Sequence, residues 1–373
     1  MVRGRGMQIG STSFKVSNRP LDARPFFSVC VPQYNRTDFL IRSMETFRSQ
    51  KFIDFEICIS DDCSDDGKQS RLFDYLNRSG LVFVYARTQR RLRYDGNLRS
   101  AIALSNGRYL LLMGNDDELN SADTLQVLHD ELERFRPVAV AVTNYHELGL
   151  GRVVRRIRAT KLLGSGPRVA ARTFRSYSFL SGVVLQGDAA RKAATDVCDG
   201  SEMYQMYLGT RLVAKGGRYL GIDRVCINKD IQLPGQAVDS YRLKPRLRPC
   251  PVVERHLPMG RLLEVVAAGL EPCHVGGDRQ KNLFCVAQQL FQFTYPFWII
   301  EYRRVQSWRY ALGVLLALRP TVIAEGLALS RATAVRLWLM YILVGAAALV
   351  FPIALFDFLR PRLFAFAKRA YRA

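Results

Sequence analysis

The stretch GRYLLLMGNDDELN, residues 107–120, joins an apolar run directly to a group of acidic side chains. Residues 109–113 are all apolar or aromatic, which is typical of a buried strand. Asn115 and the carboxylates of residues 116–118 follow at once. Adjacent carboxylates repel one another unless a cation or a network of hydrogen bonds offsets their charge. The stretch therefore predicts a buried strand that ends in a site for a compensating group.

Short apolar runs alternate with amphipathic segments on both sides of this stretch. Strands are predicted over residues 26–32, 55–60, 81–86, 109–113 and 138–145, and helices over 37–50, 68–77, 97–105 and 122–135. Thr37 or Asp38 is the expected cap of the first helix. Such alternation predicts an α/β fold with a mainly parallel sheet and helices on both faces. Ligands of these sheets bind beyond the carboxyl ends of the strands, where the acidic group lies.

The composition is that of a strongly basic globular protein. Of 373 residues, 49% are hydrophobic, and 54 Lys and Arg against 33 Asp and Glu give a formal net charge of +21. This charge favours an anionic partner such as a phosphorylated substrate or an acidic membrane surface. No helix-turn-helix, zinc-finger or RNP signature is present, which argues against nucleic acid as the partner. The eight cysteines form no CxxC pair and there are four histidines, which argues against a zinc site.

The last third of the chain is apolar and basic. Residues 337–356 form an uncharged stretch that is long enough for a helix across a bilayer. Gly345 and Pro352 within it would also suit a bent segment. A buried helix of a soluble bundle is the alternative. Residues 151–175 hold eight basic side chains and no acidic one, which predicts a basic loop or hairpin. The first twenty residues lack the apolar core of a signal peptide, so we expect no cleaved leader.

Three motifs, each directly after a predicted strand, occur in a diagnostic order: VPQYNR (31–36), SDDCSDDG (60–67) and MGNDDE (113–118). With these motifs the chain resembles the family 2 glycosyltransferases of the GT-A fold, clearly over residues 26–145 and more weakly over 176–233. The motif GNDDEL and the later SYSFLSGVVLQGD (176–188) most resemble those of the abequosyltransferase-like branch, whose members decorate O-antigen and related bacterial glycans. Each motif alone is weak, and the ordered set is strong.

The resemblance implies that the acidic group is the family's DxD-type element. Asp117 is then the ligand of a divalent metal, Mn²⁺ or Mg²⁺, and Asp116 faces the ribose or the sugar of a nucleotide-sugar donor. Hard carboxylate oxygens suit either ion, and a cation would neutralise the donor diphosphate. Asn115 replaces the acid that is frequent at the first position, a departure that spares the metal contact.

The same resemblance assigns the rest of the donor site. Asp62 would accept a hydrogen bond from the nucleobase, and Pro32 and Tyr34 would line the base pocket. Asn35, Arg93 and Asn97 complete the expected donor-binding set. Turn capping is an alternative for Asp62, core packing for Tyr34 and simple solvation for Arg93.

An inverting enzyme of this group needs a general base for the acceptor hydroxyl. Where the family places an acidic pair before an Arg-Leu on a helix, this chain has Tyr204 and Gln205. The nearest acids are Glu202, our first choice, and Asp199, our second. The helix macrodipole would equally explain acids at this point. Asp239 is a further candidate.

These expectations define four regions: an N-terminal extension (1–25), a GT-A catalytic domain (26–235), a helical region (236–336) and an apolar segment with a basic tail (337–373). Within the catalytic domain, 26–145 would bind the donor and 146–235 the acceptor. The expected activity is metal-dependent, inverting sugar transfer to a polyprenyl-diphosphate-linked saccharide at the cytoplasmic face of the plasma membrane. Transfer directly to polyprenyl phosphate and a non-catalytic nucleotide- or glycan-binding relative are the alternatives. No feature of the sequence indicates an oligomeric state.

Overall fold

A computed structural model describes residues 12–20, 22–237, 258–271 and 278–370. Asp239, the further candidate base, lies outside these residues. The strands are β1 Thr12–Ser17, β2 Phe27–Gln33, β3 Phe55–Asp61, β4 Phe83–Thr88, β5 Tyr109–Leu112, β6 Glu118–Leu119, β7 Val140–Glu147, β8 Arg152–Val154, β9 Lys161–Gly164, β10 Val183–Gln186, β11 Tyr219–Lys229, β12 Gln232–Leu233 and β13 Gln236–Ala237.

The helices surround the sheet in the first part of the chain and pack together in the last. They are α1 Thr37–Arg48, α2 Gln69–Ser79, α3 Arg93–Leu104, α4 Thr124–Phe135, α5 Pro167–Thr173, α6 Gly187–Lys192, α7 Tyr204–Ala214, α8 Leu262–Leu270, α9 Asp278–Gln289, α10 Tyr295–Val305, α11 Trp308–Ala317, α12 Pro320–Ile323, α13 Arg331–Val350 and α14 Ile353–Ala370. A π-helical turn, Leu290–Thr294, joins α9 to α10.

A single mixed sheet organises the N-terminal part, in the order β1-β4-β3-β2-β5-β10-β7-β11-β6. Strands β4, β3, β2 and β5 are parallel neighbours, as are β7 and β11. Strand β10 runs antiparallel between β5 and β7. The predicted α/β fold is confirmed, although β10 and the edge strands make the sheet mixed rather than mainly parallel.

The central strands are rich in apolar residues because both of their faces are covered, and the buried Glu56 of β3 is paired with Arg19 and Ser28. Every residue of β3 is buried, as is every residue of β5. One apolar core lies beneath α1, α2 and α4, and a second extends from α3 and α7 into the C-terminal helices. Burial on both faces is what parallel strands flanked by helices require.

The cap of α1 differs from the prediction. Neither Thr37 nor Asp38 caps this helix; its N-cap residue is Arg36, in the left-handed conformation with φ 56° and without a side-chain cap. The Thr37 N–H instead donates to Asp66 Oδ2 at 3.1 Å, so a loop distant in sequence supplies the acceptor. A tertiary contact of this kind leaves no local signal.

The apolar run 337–356 is not one helix. Helix α13 ends at Val350, and α14 begins after Pro352, which cannot donate the backbone hydrogen bond that a continuous helix needs. In the part of the chain that the structure describes, α13 is the one helix that is long and apolar enough to cross a membrane. Its most apolar 18 residues have a mean hydropathy of 1.9, and 33% of them are buried.

Candidate donor and acceptor site

The three sequence motifs meet at one edge of the sheet, beyond the carboxyl ends of β2, β3 and β5. The Asp62 N–H donates to Gln33 O at 2.9 Å, which joins the second motif to the first. The Asn115 amide donates to Gln33 Oε1 at 2.8 Å, which joins the third. Parallel strands bring their carboxyl ends to the same edge, so the sequence prediction of a shared site follows from the topology.

Asp117 is the most enclosed carboxylate of this edge, with 3% of its surface exposed. Its Oδ2 accepts a hydrogen bond from the Ser181 hydroxyl, and its Oδ1 accepts one from the Asp230 N–H at 3.0 Å. Burial, and then the neighbouring charge of Asp116, raise the pKa of Asp117 to about 8. The charged form of Asp117 is therefore disfavoured here, and a cation beside it would stabilise that form.

Gly114 packs closely against these carboxylates. A Cβ at this position would stand 2.9 Å from Asp117 Oδ2, 3.1 Å from Asp116 Oδ1 and 3.4 Å from Ser181 Oγ. The Ser181 hydroxyl is already engaged, since it donates to Asp117 and accepts from the Gly114 N–H at 2.8 Å. The two carboxylates are oxygen ligands of the kind that Mg²⁺ or Mn²⁺ prefers. No group of three or more His, Cys, Asp or Glu side chains that could hold a metal exists among the described residues, so phosphate oxygens would have to complete the coordination. Asp116 Oδ2 also accepts a hydrogen bond from Arg36, which holds its carboxylate at the edge of the site.

A buried lysine supports the site from the end of β11, the strand that pairs with β6. The Lys229 side chain is 1% exposed, and its Nζ contacts Asp230 Oδ2 and, at 3.3 Å, Glu147 Oε1. The φ of Asp230 is 58°, which is uncommon for a residue other than glycine and turns its N–H toward Asp117. Sequence reasoning missed this trio. An acid directly after a Lys at the end of a predicted strand, in INKD (227–230), was the available signal.

Asp62 lies at the predicted edge with both oxygens engaged. They accept hydrogen bonds from the backbone N–H groups of Leu92 and Arg93, at the N-terminus of α3. Burial raises the pKa of Asp62. In this structure the carboxylate therefore orders the start of α3, as turn capping would, and a nucleobase would have to share or displace these N–H donors.

Tyr34 lies beside Asp62 under a cation. The Arg91 guanidinium stacks over the Tyr34 ring at 3.7 Å, and its Nε is 3.9 Å from Asp62 Oδ2. A ring and a guanidinium plane together form a surface on which a nucleobase could stack. Pro32 is half-buried next to them on β2. Arg91 was not among the predicted residues, and its neighbour Arg93 was.

The remaining predicted donor residues have structural contacts of their own. Asn35 exchanges two hydrogen bonds of 2.8 Å with Asp65, which closes the loop after β2. Asn97 is buried and donates to Gln33 O at 2.9 Å, while its Oδ1 has no hydrogen-bond partner among the described residues. The Arg93 side chain is exposed, and its φ is 58°.

The acidic residues before α7 have different environments. Asp199 forms a bidentate ion pair with Arg99, whose Nη2 lies 2.8 Å from Asp199 Oδ2. Glu202 is exposed with φ 60°, and its carboxylate makes no hydrogen bond with a described residue. Arg99 engages both oxygens of Asp199, so that carboxylate is not open to an acceptor hydroxyl. Of the two candidates, the geometry favours Glu202.

Asp95 fixes the conformation around Glu202. Its carboxylate accepts hydrogen bonds from the N–H groups of Glu202, at 2.8 Å, and Tyr204, at 3.0 Å. It thus caps α7 from α3 and connects the donor half to the acceptor half. Tyr204 and Gln205 are both buried, and Gln205 Oε1 accepts a hydrogen bond from the Tyr94 hydroxyl at 3.0 Å.

The fold and the site together define a GT-A-type glycosyltransferase architecture: a mixed α/β sheet with carboxylates at the ends of its parallel strands. Residues 28–185 match the model of the family described as Glycosyl transferase family 2, and this part of the chain is a domain of that family. The predicted family 2 glycosyltransferase class is thereby confirmed over residues 28–185.

Similarity to individual proteins is confined to part of each relative. Abequosyltransferase RfbV of Salmonella typhimurium (strain LT2) is 35% identical over 108 residues, which are 28% of this chain and 32% of that protein. A GalNAc(5)-diNAcBac-PP-undecaprenol beta-1,3-glucosyltransferase of Campylobacter jejuni is 28% identical over 97 residues, 26% of this chain and 31% of that protein. The chain thus matches about a third of the length of these curated relatives.

A solved structure extends the likeness in fold beyond the family domain. S. aureus TarS 1–349 in complex with UDP superimposes with a TM-score of 0.56, covering 86% of this chain and 90% of that chain at 15% sequence identity. At this identity the likeness shows the fold alone.

Proposed function

We propose that the protein transfers a sugar from a nucleotide-sugar donor to a lipid-linked saccharide, in the synthesis of a bacterial surface polysaccharide. The observation that carries the proposal is the pair of carboxylates, Asp116 and Asp117, that packs against Gly114 where the ends of β2, β3 and β5 meet. Support comes from the family domain over residues 28–185 and from the names of the relatives, which include an abequosyltransferase and a glucosyltransferase.

The donor would lie along this edge. Its base would stack at Tyr34 and Arg91, and its diphosphate would approach Asp116 and Asp117. Two carboxylates repel a diphosphate unless a cation lies between them, and a divalent ion held by Asp117 would supply that charge and stabilise the departing nucleotide. The related TarS structures hold UDP and UDP-GlcNAc, which makes a uridine nucleotide the first donor to test.

Glu202 would act as the general base. Its carboxylate is exposed, while Asp95 holds the backbone of Glu202 in place. An unpaired carboxylate can accept the proton of an acceptor hydroxyl as that oxygen attacks the anomeric carbon. Attack from the face opposite the departing nucleotide would invert the anomeric configuration.

The C-terminal helices would place the enzyme at the membrane. One face of α13 packs inward through Leu337, Tyr341 and Gly345. The opposite face exposes large apolar side chains, namely Val335 58%, Trp338 38%, Leu339 55%, Ile342 57%, Leu343 69% and Val350 73%. An apolar face of this size on a strongly basic protein suits the surface of an anionic bilayer at the cytoplasmic side, where a lipid-linked acceptor would lie. The name of the C. jejuni relative contains such an acceptor, an undecaprenol diphosphate saccharide.

A non-catalytic, ligand-binding relative is the second candidate. Asn115 and the buried Gln205, where the family has acids, favour it. The glycosyltransferase would turn over the bound nucleotide-sugar donor, whereas the non-catalytic relative would bind it without turnover.

The test is a thermal-shift panel of UDP-, GDP-, CDP- and dTDP-sugars with and without Mn²⁺, followed by hydrolysis assays of the donor that binds. A metal-dependent rise in melting temperature is expected for one donor, since ligand binding to the folded state stabilises it. Gly114→Ala is the matched variant, because its methyl group would clash with Asp117 Oδ2 and displace that carboxylate, which should abolish the metal-dependent part of the shift. A flat panel with folded protein contradicts the proposal, and binding without turnover favours the non-catalytic relative.

A further inference from the structure

A basic cavity lies beside the donor site, between the segment 152–163 and α14. Its volume is about 1110 Å³, and eight of its lining residues are Arg or Lys while one, Asp357, is acidic. The basic residues include Arg152, Arg155, Arg158, Lys161, Arg172 and Arg175. A cavity of this size holds a small ligand, and this density of positive charge favours a polyanion.

Three acidic groups near the cavity form ion pairs with arginines. Asp357 forms an ion pair of 2.7 Å with Arg304, a residue that does not line the cavity. Glu147 pairs with Arg152 at 2.8 Å, and Asp223 pairs with Arg155 at 3.2 Å.

Two arginines of the lining are available to a ligand. The side chains of Arg158 and Arg172 are exposed, and neither forms a hydrogen bond or ion pair with a residue that the structure describes. Guanidinium groups bind phosphate oxygens in pairs of parallel hydrogen bonds, which makes arginine the preferred partner of a diphosphate.

The cavity is connected to the donor site by one short segment. Ser178 and Phe179 line the cavity, and Ser181, three residues further on, donates its hydroxyl to Asp117. Arg156 fixes this segment by donating to Phe179 O and Ser181 O, both at 2.9 Å. Three residues of extended chain span at most about 11 Å. The part of the cavity at Ser178 and Phe179 therefore lies within the length of a short saccharide from Ser181 and Asp117.

The wall of the cavity formed by α14 is also apolar on its outer side. Arg360 and Asp357 line the cavity, while Leu355 and Phe358 on the same helix are 43% and 67% exposed. A molecule with an anionic head and an apolar tail would find partners for both parts at this place.

We propose that this cavity binds the diphosphate of the lipid-linked acceptor, with the saccharide directed toward Asp117 and the lipid leaving along α13 and α14. This assignment rests on the proposed function. It adds the residues that recognise the acceptor, which are separate from those that would bind the donor.

The test measures binding of farnesyl diphosphate, a short prenyl diphosphate, to the full chain in detergent by isothermal titration calorimetry. The cavity variant is Arg158→Ala with Arg172→Ala. The control variant is Arg78→Ala with Arg134→Ala, two exposed arginines outside the cavity that remove the same charge. We expect the cavity variant to bind at least about tenfold more weakly, as the loss of charged hydrogen bonds predicts, and the control to bind as wild type does. Equal affinities of the two variants overturn the proposal.

Two further ligands separate a lipid diphosphate from other anions. Inorganic pyrophosphate should bind more weakly than farnesyl diphosphate, because it lacks the apolar tail; equal affinity would make the cavity a site for a free phosphate and overturn the proposal. Vesicles of phosphatidylglycerol should bind the cavity and control variants equally. A loss of vesicle binding confined to the cavity variant would identify the cavity arginines as a general membrane-binding patch and would also overturn the proposal.

The donor panel keeps this test distinct from the test of the proposed function. Donor-induced stabilisation without farnesyl diphosphate binding overturns the cavity assignment alone. Farnesyl diphosphate binding that depends on Arg158 and Arg172, with a flat donor panel, supports the lipid diphosphate site and contradicts the transferase.

Discussion

Removal of the Asp95 carboxylate should loosen the start of α7 and displace Glu202. The side chain of this residue is buried, with 2% of its surface exposed, and it accepts hydrogen bonds from the N–H groups of Glu202 and Tyr204 and from the Ser201 hydroxyl at 3.4 Å. Loss of a helix cap costs about 0.5–2 kcal/mol, and each buried donor left without a partner costs about 1–3 kcal/mol. Water can reach the N–H of exposed Glu202, whereas Tyr204 is buried. Asp95→Ala should therefore lower the local stability of α7 by about 2–4 kcal/mol.

Hydrogen exchange followed by mass spectrometry measures this local effect without assuming that the whole chain unfolds in one step. A loss of 2–4 kcal/mol corresponds to exchange that is about 30- to 1,000-fold faster in peptides covering residues 201–208. Asp95→Asn should show a smaller effect, because its amide oxygen can still accept one hydrogen bond. Asp196→Ala is the control, since this acid is exposed and lies in the same loop. Exchange in the Asp95→Ala variant within about threefold of the wild type would refute the capping role.

Four further predictions test the site and the membrane region. Asp117→Asn should lower metal-stimulated donor turnover by about a hundredfold or more with an unchanged melting temperature, and full turnover would remove the metal assignment. Glu202→Gln should lower transfer by about a hundredfold or more at unchanged donor affinity, measured by initial rates and calorimetry; normal transfer would move the base elsewhere. Asp199→Asn should instead cost about 1–2 kcal/mol of stability in thermal unfolding, because it leaves the Arg99 side chain, 10% exposed, without its ion pair. Leu343→Glu, on the exposed face of α13, should shift the protein from the membrane to the soluble fraction on ultracentrifugation, and unchanged partition would count against α13 as the anchor.

The central strands could be predicted from the sequence because their physical cause is local. Strands buried on both faces are mostly apolar, and residues 55–60 and 109–113 are enriched in such side chains. The carboxyl ends of parallel strands share an edge, so the meeting of Asp62 with the 113–118 motif could also be anticipated.

The contacts that arrange the site could not be predicted, because they join residues far apart in sequence. Asp66 supplies the acceptor for α1, Asp95 caps α7 and Lys229 supports Asp230 beside Asp117. Each of these side chains would read as solvated surface charge in isolation. Only the fold reveals that Asp95 and Lys229 are buried, and burial is what gives their contacts energetic weight.

The choice between Asp199 and Glu202 illustrates the same limit. The two acids are three positions apart and indistinguishable by residue type, yet Arg99 from α3 engages one and leaves the other. The sequence contained Arg99, and its partner depended on how α3 packs against the loop before α7.

The segment 178–182 determines how the donor and the acceptor would meet. Gly182 has a φ of 79°, and a Cβ there would stand 2.4 Å from Thr143 Oγ1 and 3.0 Å from Arg156 NH2, so the backbone packs directly against β7 and this guanidinium. Arg156 in turn binds the carbonyl groups of Phe179 and Ser181. The segment is thereby held at both ends, with the basic cavity on one side and Asp117 on the other. A diphosphate anchored among the arginines would then lie at a fixed distance from the reacting sugar, and the length of the saccharide between them, rather than its lipid, would select the acceptor.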